Sequence, residues 1–209
     1  MAWVKAQIAG LRHPMGLLKL MMMIGGAGAL YALLSATYAP PKPWENTAPV
    51  YAVGEMAKLE RIYPAPKMPA VRLDKDGETV RLGDYAQGVP LVVNLWATWC
   101  APCLEELPAL QTMQNELGGR VKVLAVAMES GDGSAQRAML KKVGADQLTF
   151  VQDPSLSLMG AYGRDLQLPL TILYDGRGRE VARLSGAADW GSPEALRLLK
   201  AIASGHYPN

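Results

Sequence analysis

The chain of 209 residues contains only two cysteines, two histidines and one phenylalanine. Two cysteines are too few for the dense disulfide network of a small secreted scaffold. They are also too few for a zinc site built from four thiolates. The formal net charge of +2 gives no sign of the strongly basic surface that nucleic-acid binding requires. Composition therefore excludes a disulfide-rich scaffold and a four-cysteine zinc site, and it gives no support to a nucleic-acid partner.

Charged residues are also absent from Leu20 to Pro41, and the first part of this stretch is almost wholly apolar or small. Residues 15–38 reach the ~20 residues that a helix needs to cross a bilayer. Basic residues precede them, which places residues 1–14 in the cytoplasm as a basic tail. We therefore predict a retained signal-anchor transmembrane helix at 15–38, with the rest of the chain exported. A cleaved signal peptide and a buried core helix are the alternatives.

A proline-rich segment follows the apolar run. Seven of the fifteen prolines fall between Pro40 and Pro69, and chain of this composition is extended and semi-rigid. We therefore predict a linker at 39–67 that holds a domain at 68–204 away from the bilayer. Apolar residues spaced along 54–62 predict one or two helical turns with a face that docks on this domain.

The pattern of the domain predicts an α/β fold with a central mixed sheet flanked by helices. Alternating runs around the turn Asp76-Gly77 predict an N-terminal β-hairpin. Strands then alternate with helices, which predicts parallel strands, and a closing hairpin predicts an antiparallel edge. Pro108 is expected to kink the first helix or to remove a hydrogen bond from it. A tail at 205–209 ends the chain. The further strands are predicted at 91–96, 121–128, 149–152, 170–174 and 180–184, and the helices at 101–117, 134–143, 155–162 and 193–203.

The two cysteines, Cys100 and Cys103, lie where a buried strand meets a helix. A Cys-x-x-Cys pair at such a junction indicates thiol–disulfide chemistry. At a helix N-terminus, unpaired backbone N–H groups and the helix dipole lower a thiol pKa from ~8.5 to somewhere in ~3.5–7.5. We predict that Cys100 is the nucleophile that forms a mixed disulfide and that Cys103 resolves it. Pro102 suits the first helical turn and stiffens the loop.

Two other interpretations of the cysteine pair remain open. A structural disulfide across four residues closes a very small loop and adds little stability. Half of a zinc site would need two further ligands, and the two histidines, His13 and His206, lie near opposite ends of the chain.

Residues 92–110 read VVNLWATWCAPCLEELPAL. This stretch resembles the thioredoxin superfamily and, more narrowly, the exported, membrane-anchored TlpA-type thiol:disulfide oxidoreductases. The hairpin around Asp76-Gly77 and the ending at 186–196 are similar too, so the likeness covers about residues 68–204. It implies a thioredoxin-like fold and a redox-active Cys100–Cys103 disulfide, with no other cofactor and no metal. It also implies a bacterial cytoplasmic-membrane protein with a periplasmic catalytic domain.

The resemblance extends to further site residues. Glu106 lies three positions after Cys103, on the same helix face, and matches a glutamate implicated in tuning the thiols by taking or returning a proton. The residues alone leave open a solvated surface glutamate, or Glu105 in this role. Pro169 matches the cis-proline of this fold, with an ordinary trans proline as the alternative. Leu168, just before it, is implied to contribute backbone to substrate docking.

Tryptophans flank the cysteine motif. Trp99 is predicted to belong to the exposed apolar surface on which substrates dock, together with Pro102 and Leu168. Trp96 is predicted to lie in the core, and Trp190 to pack in a loop.

The resemblance implies a protein-disulfide reductase that exchanges disulfides with protein thiols. Its implied partners are copper-centre assembly proteins of cytochrome oxidase or apocytochrome c during cytochrome c maturation. Since the exported compartment is oxidising, its electrons would come from a DsbD- or CcdA-type membrane donor. The alternatives are a copper-binding assembly factor on the same fold and a peroxidase of the same superfamily. The spacing of two residues between the cysteines argues against the first of these.

Overall fold

The computed structural model describes residues 53–163 and 167–207. The predicted basic tail, the predicted signal-anchor helix and the first part of the predicted linker lie outside these residues. Within the two described ranges, no helix is long and apolar enough to cross a membrane.

One eight-stranded mixed sheet forms the centre of the described fold. Its strands are β1 (Glu60–Arg61), β2 (Arg72–Lys75), β3 (Glu78–Arg81), β4 (Leu91–Trp96), β5 (Lys122–Ala127), β6 (Thr149–Gln152), β7 (Leu170–Tyr174) and β8 (Glu180–Ser185). They lie in the order β1-β8-β7-β4-β5-β6-β2-β3. β4, β5 and β6 are parallel, and the other neighbours are antiparallel. The prediction of an α/β fold with a central mixed sheet is confirmed.

Among the described residues, four α-helices cover the sheet, and each lies at or within two residues of its predicted position. They are α1 (Ala101–Leu117), α2 (Ser134–Val143), α3 (Ser157–Tyr162) and α4 (Pro193–Ala203). Two short 3₁₀-helices span Gly54–Lys58 and Leu82–Tyr85. α1 continues through Pro108, which has no N–H, so the Leu104 carbonyl lacks its intrahelical partner. Gly118 then ends α1 in the left-handed conformation, at φ 57° and ψ 48°.

Two apolar clusters pack against the sheet. Along β4, Val92 and Trp96 belong to one cluster, whereas Val93 and Leu95 belong to the other. This division follows from the alternation of side chains along a strand, so the sheet has apolar packing on both faces. The first cluster also contains both cysteines, which places the motif at the edge of a packed core.

The sequence predicts that the domain starts at residue 68, but the folded unit begins earlier. Met56, in the first 3₁₀-helix, is fully buried, and Leu59 is 8% exposed. β1 pairs with β8 and covers the edge that β8 would otherwise leave open to other chains. The second part of the segment predicted as linker therefore belongs to the domain.

The sequence predicts that the closing hairpin forms an antiparallel edge of the sheet. This prediction is wrong. β7 pairs with β4 inside the sheet, and β1 lies outside β8. The outermost strands are β1 and β3. The pattern identified the antiparallel hairpin but could not show that an earlier segment of the chain pairs with it.

Candidate redox site

Strand β4 leads directly into the turn that carries the cysteines. The N–H of Cys100 donates to the carbonyl of Ala97 at 3.1 Å, which closes the turn. Cys100 is the N-cap of α1 and is joined to Cys103 by a disulfide, with the two Cα atoms 5.3 Å apart. Cys100 is 5% exposed, whereas Cys103 has no exposed surface. Of the two cysteines, only Cys100 therefore has surface that a visiting molecule can reach.

The N-terminus of α1 favours negative charge on Cys100. The carbonyl of Cys100 accepts the N–H of Leu104 at 3.2 Å, which is the first bond of the helix. The N–H groups of Ala101 and Cys103 precede this bond and have no partner within the helix. The first turn contains no acidic residue to oppose the positive end of the helix dipole. A thiolate formed at Cys100 is stabilised by this arrangement.

Glu106 lies one turn beyond Cys103 and is 3% exposed. Its Oε1 accepts a hydrogen bond from Nδ2 of Asn94 at 2.6 Å. Its Oε2 accepts from the N–H of Ala188 at 3.1 Å and from Nε1 of Trp190 at 3.2 Å. Burial raises the pKa of Glu106 from its ordinary value of 4.5 to about 7, although the three hydrogen bonds oppose the shift. Such a carboxyl group can both release and take up a proton near neutral pH.

The two neighbouring glutamates of α1 have different surroundings. Glu106 is buried, so the alternative that it is a solvated surface glutamate is wrong, and Glu105 is the exposed one. Both line a cleft of about 320 Å³, together with Glu55 and Asp189. This cleft gives the buried carboxyl group of Glu106 a route for proton exchange with solvent.

The peptide bond between Leu168 and Pro169 is cis, as predicted. Because Leu170 pairs with Leu95, Pro169 lies beside the end of β4, where the chain turns towards Cys100. Pro169 is buried and Leu168 is half-buried. Leu168 packs against the cluster that contains both cysteines. Strand pairing thus brings the cis-proline and the cysteine motif, which are distant in sequence, to one place.

An apolar groove lies beside the motif. Trp99 is 71% exposed, and Leu156 is 41% exposed. The groove has a volume of about 480 Å³, and its lining consists of Leu95, Trp99, Met128, Leu156, Met159, Gln167 and Leu168. Two of the three predicted docking residues, Trp99 and Leu168, therefore share one surface. The third, Pro102, is exposed on the first turn of α1 and does not line the groove.

Three polar contacts of the site are not identified by the motif. Asn94 was detectable in principle, since it is the single polar residue of a buried strand and such a residue needs a partner. Trp190 is buried, as its predicted packing role requires, but its indole N–H also bonds Glu106. Glu129 accepts the N–H of Thr98 at 2.8 Å and its hydroxyl at 2.7 Å. No local pattern pairs Glu129 with Thr98, because the contact depends on how β4 and β5 lie in the sheet.

Comparison with known proteins identifies the family. The family model described as Redoxin matches residues 64–198. The chain belongs to the Redoxin family. It is 29% identical over 175 residues to the thiol:disulfide interchange protein HelX of Rhodobacter capsulatus, covering 83% of this chain and 87% of HelX. It is 35% identical over 120 residues to the thiol:disulfide interchange protein DsbE of Escherichia coli K12, covering 55% of this chain and 60% of that protein.

A solved structure supports the same assignment at the level of the fold. The crystal structure described as that of a thiol:disulfide interchange protein DsbE from Chlorobium tepidum aligns with a TM-score of 0.55 at 24% identity. The alignment covers 69% of this chain and 97% of that one. This Redoxin-family protein therefore has a thioredoxin-like fold and is a thiol–disulfide oxidoreductase of the TlpA-like kind.

Proposed function

We propose that this Redoxin-family protein is an exported protein-disulfide reductase of a bacterium. Residues 15–38 hold it at the cytoplasmic membrane, and its catalytic domain lies in the periplasm. The observation that carries the proposal is the Cys100–Cys103 disulfide at the N-terminus of α1, in which Cys100 is partly exposed and Cys103 is fully buried. The assigned site residues are Cys100, Cys103, Glu106 and Pro169.

The reaction transfers two electrons from the reduced pair to a partner disulfide. The thiolate of Cys100 attacks one partner sulfur, forms a mixed disulfide and releases the other partner sulfur as a thiolate, which is then protonated. Cys103 then loses its proton and attacks the sulfur of Cys100. The bond to the partner breaks, the second partner sulfur leaves as a thiolate and is then protonated, and the Cys100–Cys103 disulfide forms. Glu106, on the same helix face as Cys103, takes up the proton of Cys103.

The substrate docks in the groove lined by Trp99 and Leu168. Because this lining is mainly apolar, it suits a partner segment with apolar side chains next to its disulfide. Pro169 follows Leu168 directly, so the cis-proline shapes the same groove. The fit is to a protein segment rather than to a charged small molecule.

The physiological partner is a copper-centre assembly protein of cytochrome oxidase or apocytochrome c, and the electron donor is a DsbD- or CcdA-type membrane protein. This finer role rests on the sequence resemblance over residues 68–204. The relatives named thiol:disulfide interchange proteins support exchange with other disulfides.

Trapping of the mixed disulfide tests the proposal. In Cys103→Ser, the resolving thiol is lost, so partners should accumulate as covalent adducts that reducing agent releases. Cys100→Ser is the matched control and should give no adduct and no reduction of insulin. Full insulin reduction by Cys100→Ser would contradict the assigned chemistry. Failure of a membrane-impermeant thiol reagent to label reduced Cys100 in spheroplasts would contradict the location.

A further inference from the structure

Asn94 is a fully buried polar residue in the middle of the otherwise apolar strand β4. Its Nδ2 donates to Oε1 of Glu106 at 2.6 Å and to Oγ1 of Thr171 at 3.0 Å. Its Oδ1 has no hydrogen-bond partner among the residues that the structure describes. Both donor hydrogens of the amide are therefore used while its oxygen stays unpaired, and an unpaired buried polar atom is uncommon.

The two bonds of Asn94 join three elements that form the redox site. Asn94 lies on β4, which leads to the cysteine turn. Glu106 lies on α1, which begins with the cysteines. Thr171 lies on β7, two residues after Pro169, and pairs directly with Asn94 in the sheet. A single amide nitrogen thus connects the helix of the cysteines with the strand that follows the cis-proline.

The orientation of the amide matches an ionised carboxylate. Oε2 of Glu106 is already occupied by the N–H groups of Ala188 and Trp190, so Oε1 is the oxygen left for Asn94. A carboxylate accepts this N–H, whereas a carboxylic acid protonated on Oε1 would need Oδ1 of Asn94 to face it. That rotation would leave two amide hydrogens buried in place of one unpaired oxygen. The network therefore favours the ionised form, which burial disfavours.

The charged groups around Glu106 give no comparable support to its ionised form. Glu105 on the same helix, Asp189 before α4 and Glu55 in the 3₁₀-helix line the adjoining cleft, and each is acidic. Cys103 lies one turn earlier on α1 and adds negative charge when it is a thiolate. From β4 the carboxyl group meets the neutral side chain of Asn94, whose other partner is the neutral Thr171 on β7. Neutral donors, with Asn94 the shortest contact, are thus what holds a carboxylate here.

We propose that Asn94 is the positioning residue of Glu106. Its Nδ2 fixes the carboxylate against α1, and without it Glu106 holds its proton more tightly and stays protonated to higher pH. The link to catalysis rests on the proposed function, because it matters only if Glu106 exchanges a proton with Cys103. The contact itself does not depend on any substrate.

The test is a titration of Glu106 in the oxidised full-length protein in mild detergent, followed by the carboxyl ¹³C shifts of labelled glutamate. The Glu106→Gln variant identifies the signal. Asn94→Leu should raise the pKa of Glu106 by at least one unit, a tenfold tighter hold on the proton. Thr171→Val is the matched control: it removes the other partner of Asn94 without touching Glu106, so its shift should be less than half as large. A smaller shift in Asn94→Leu, or a similar one in Thr171→Val, overturns the proposal.

If Asn94→Leu does not fold, the nearly isosteric Asn94→Asp decides the question. It places a second carboxyl group against Oε1, and the pair cannot easily ionise together. The upper apparent pKa of the pair should then exceed that of wild-type Glu106 by at least one unit, and a smaller rise contradicts the proposal. A second readout is the pH profile of insulin reduction, whose midpoint should move in the same direction as the NMR titration. The titration uses oxidised protein without substrate and tests only the contact between Asn94 and Glu106. The Cys103→Ser trapping tests only the exchange reaction, so either experiment can fail while the other succeeds.

Discussion

Replacing Glu106 by glutamine should change how stability depends on pH. The substitution keeps the shape of the side chain and removes its charge. The amide oxygen can accept the N–H groups of Ala188 and Trp190, and its nitrogen can donate to Oδ1 of Asn94 after that amide rotates. That rotation leaves the two hydrogens of Nδ2 without acceptors, but this cost does not depend on pH. The pH dependence of the difference between the variant and wild type therefore isolates the cost of burying the charge.

The magnitude follows from the pKa of Glu106, which is raised from 4.5 to about 7 by burial. For a carboxyl group with a raised pKa, the folded state binds more protons than the unfolded state between these two values. Its contribution to stability is therefore fully present below pH 4.5 and is lost as the pH rises through about 7. At about 1.4 kcal/mol per pH unit, the loss amounts to about 3 kcal/mol. Glutamine does not titrate, so the variant escapes this loss.

Urea unfolding of the oxidised full-length protein in mild detergent, at several values between pH 4 and 8, measures the effect. The free energy of unfolding of the variant minus that of wild type should increase by about 3 kcal/mol across this range and then level off. The titrations of all other groups cancel in this difference. Two curves that stay parallel would show that burial of Glu106 does not shift its proton equilibrium, and the reasoning about this residue would be refuted.

Three further predictions concern other contacts. Glu129→Ala should release the turn at Thr98 and raise the KM for a protein disulfide several-fold, with a smaller change in kcat. Glu129→Gln is the control and should stay near wild type, because its amide can still bond both groups of Thr98. Equal kinetics of the two variants would contradict the contact. Met56→Ala should lower the free energy of unfolding by about 2–5 kcal/mol, because it leaves a cavity where the fully buried side chain packs; a change below about 1 kcal/mol in urea unfolding would show that this segment is not part of the cooperative unit. Trp99→Ala should lower kcat/KM for a protein disulfide much more than for a small-molecule disulfide, and an equal loss for both would argue against docking at this residue.

The sequence predicts the parts of the site that depend on local spacing. Two residues between Cys100 and Cys103, at a strand–helix junction, are enough to place both sulfurs on the first turn of α1. The cis peptide bond before Pro169 was also predicted, although from a family resemblance rather than from the residues. The residues alone leave Glu105 and Glu106 as equal candidates, and the family resemblance selects Glu106. The structure adds that Glu106 is the buried one, which the residues could not show because burial depends on what packs over each side of the helix.

The parts that the sequence does not predict depend on contacts between distant segments. Trp190 bonds Glu106 across 84 positions of the chain, and Glu129 holds Thr98 across 31. Such pairs are set by the order and register of the strands, which hydrophobic periodicity leaves undetermined. The same holds for β1, whose two residues carry too little pattern to be identified before the edge of β8 is known.

The strand order explains why these distant residues meet. β4 and β5 are parallel, so the cysteine turn after β4 and Glu129 after β5 leave the sheet at the same end. β7 is antiparallel to β4, so Pro169 enters the sheet at that end. β8 is antiparallel to β7, so the loop after β8, which carries Ala188 and Trp190, also begins there. Four connections therefore meet at one end of the sheet. Together they supply the cysteine turn, the Glu129 carboxylate that bonds Thr98 in this turn, the cis-proline, and two of the three donors to the buried carboxyl group of Glu106.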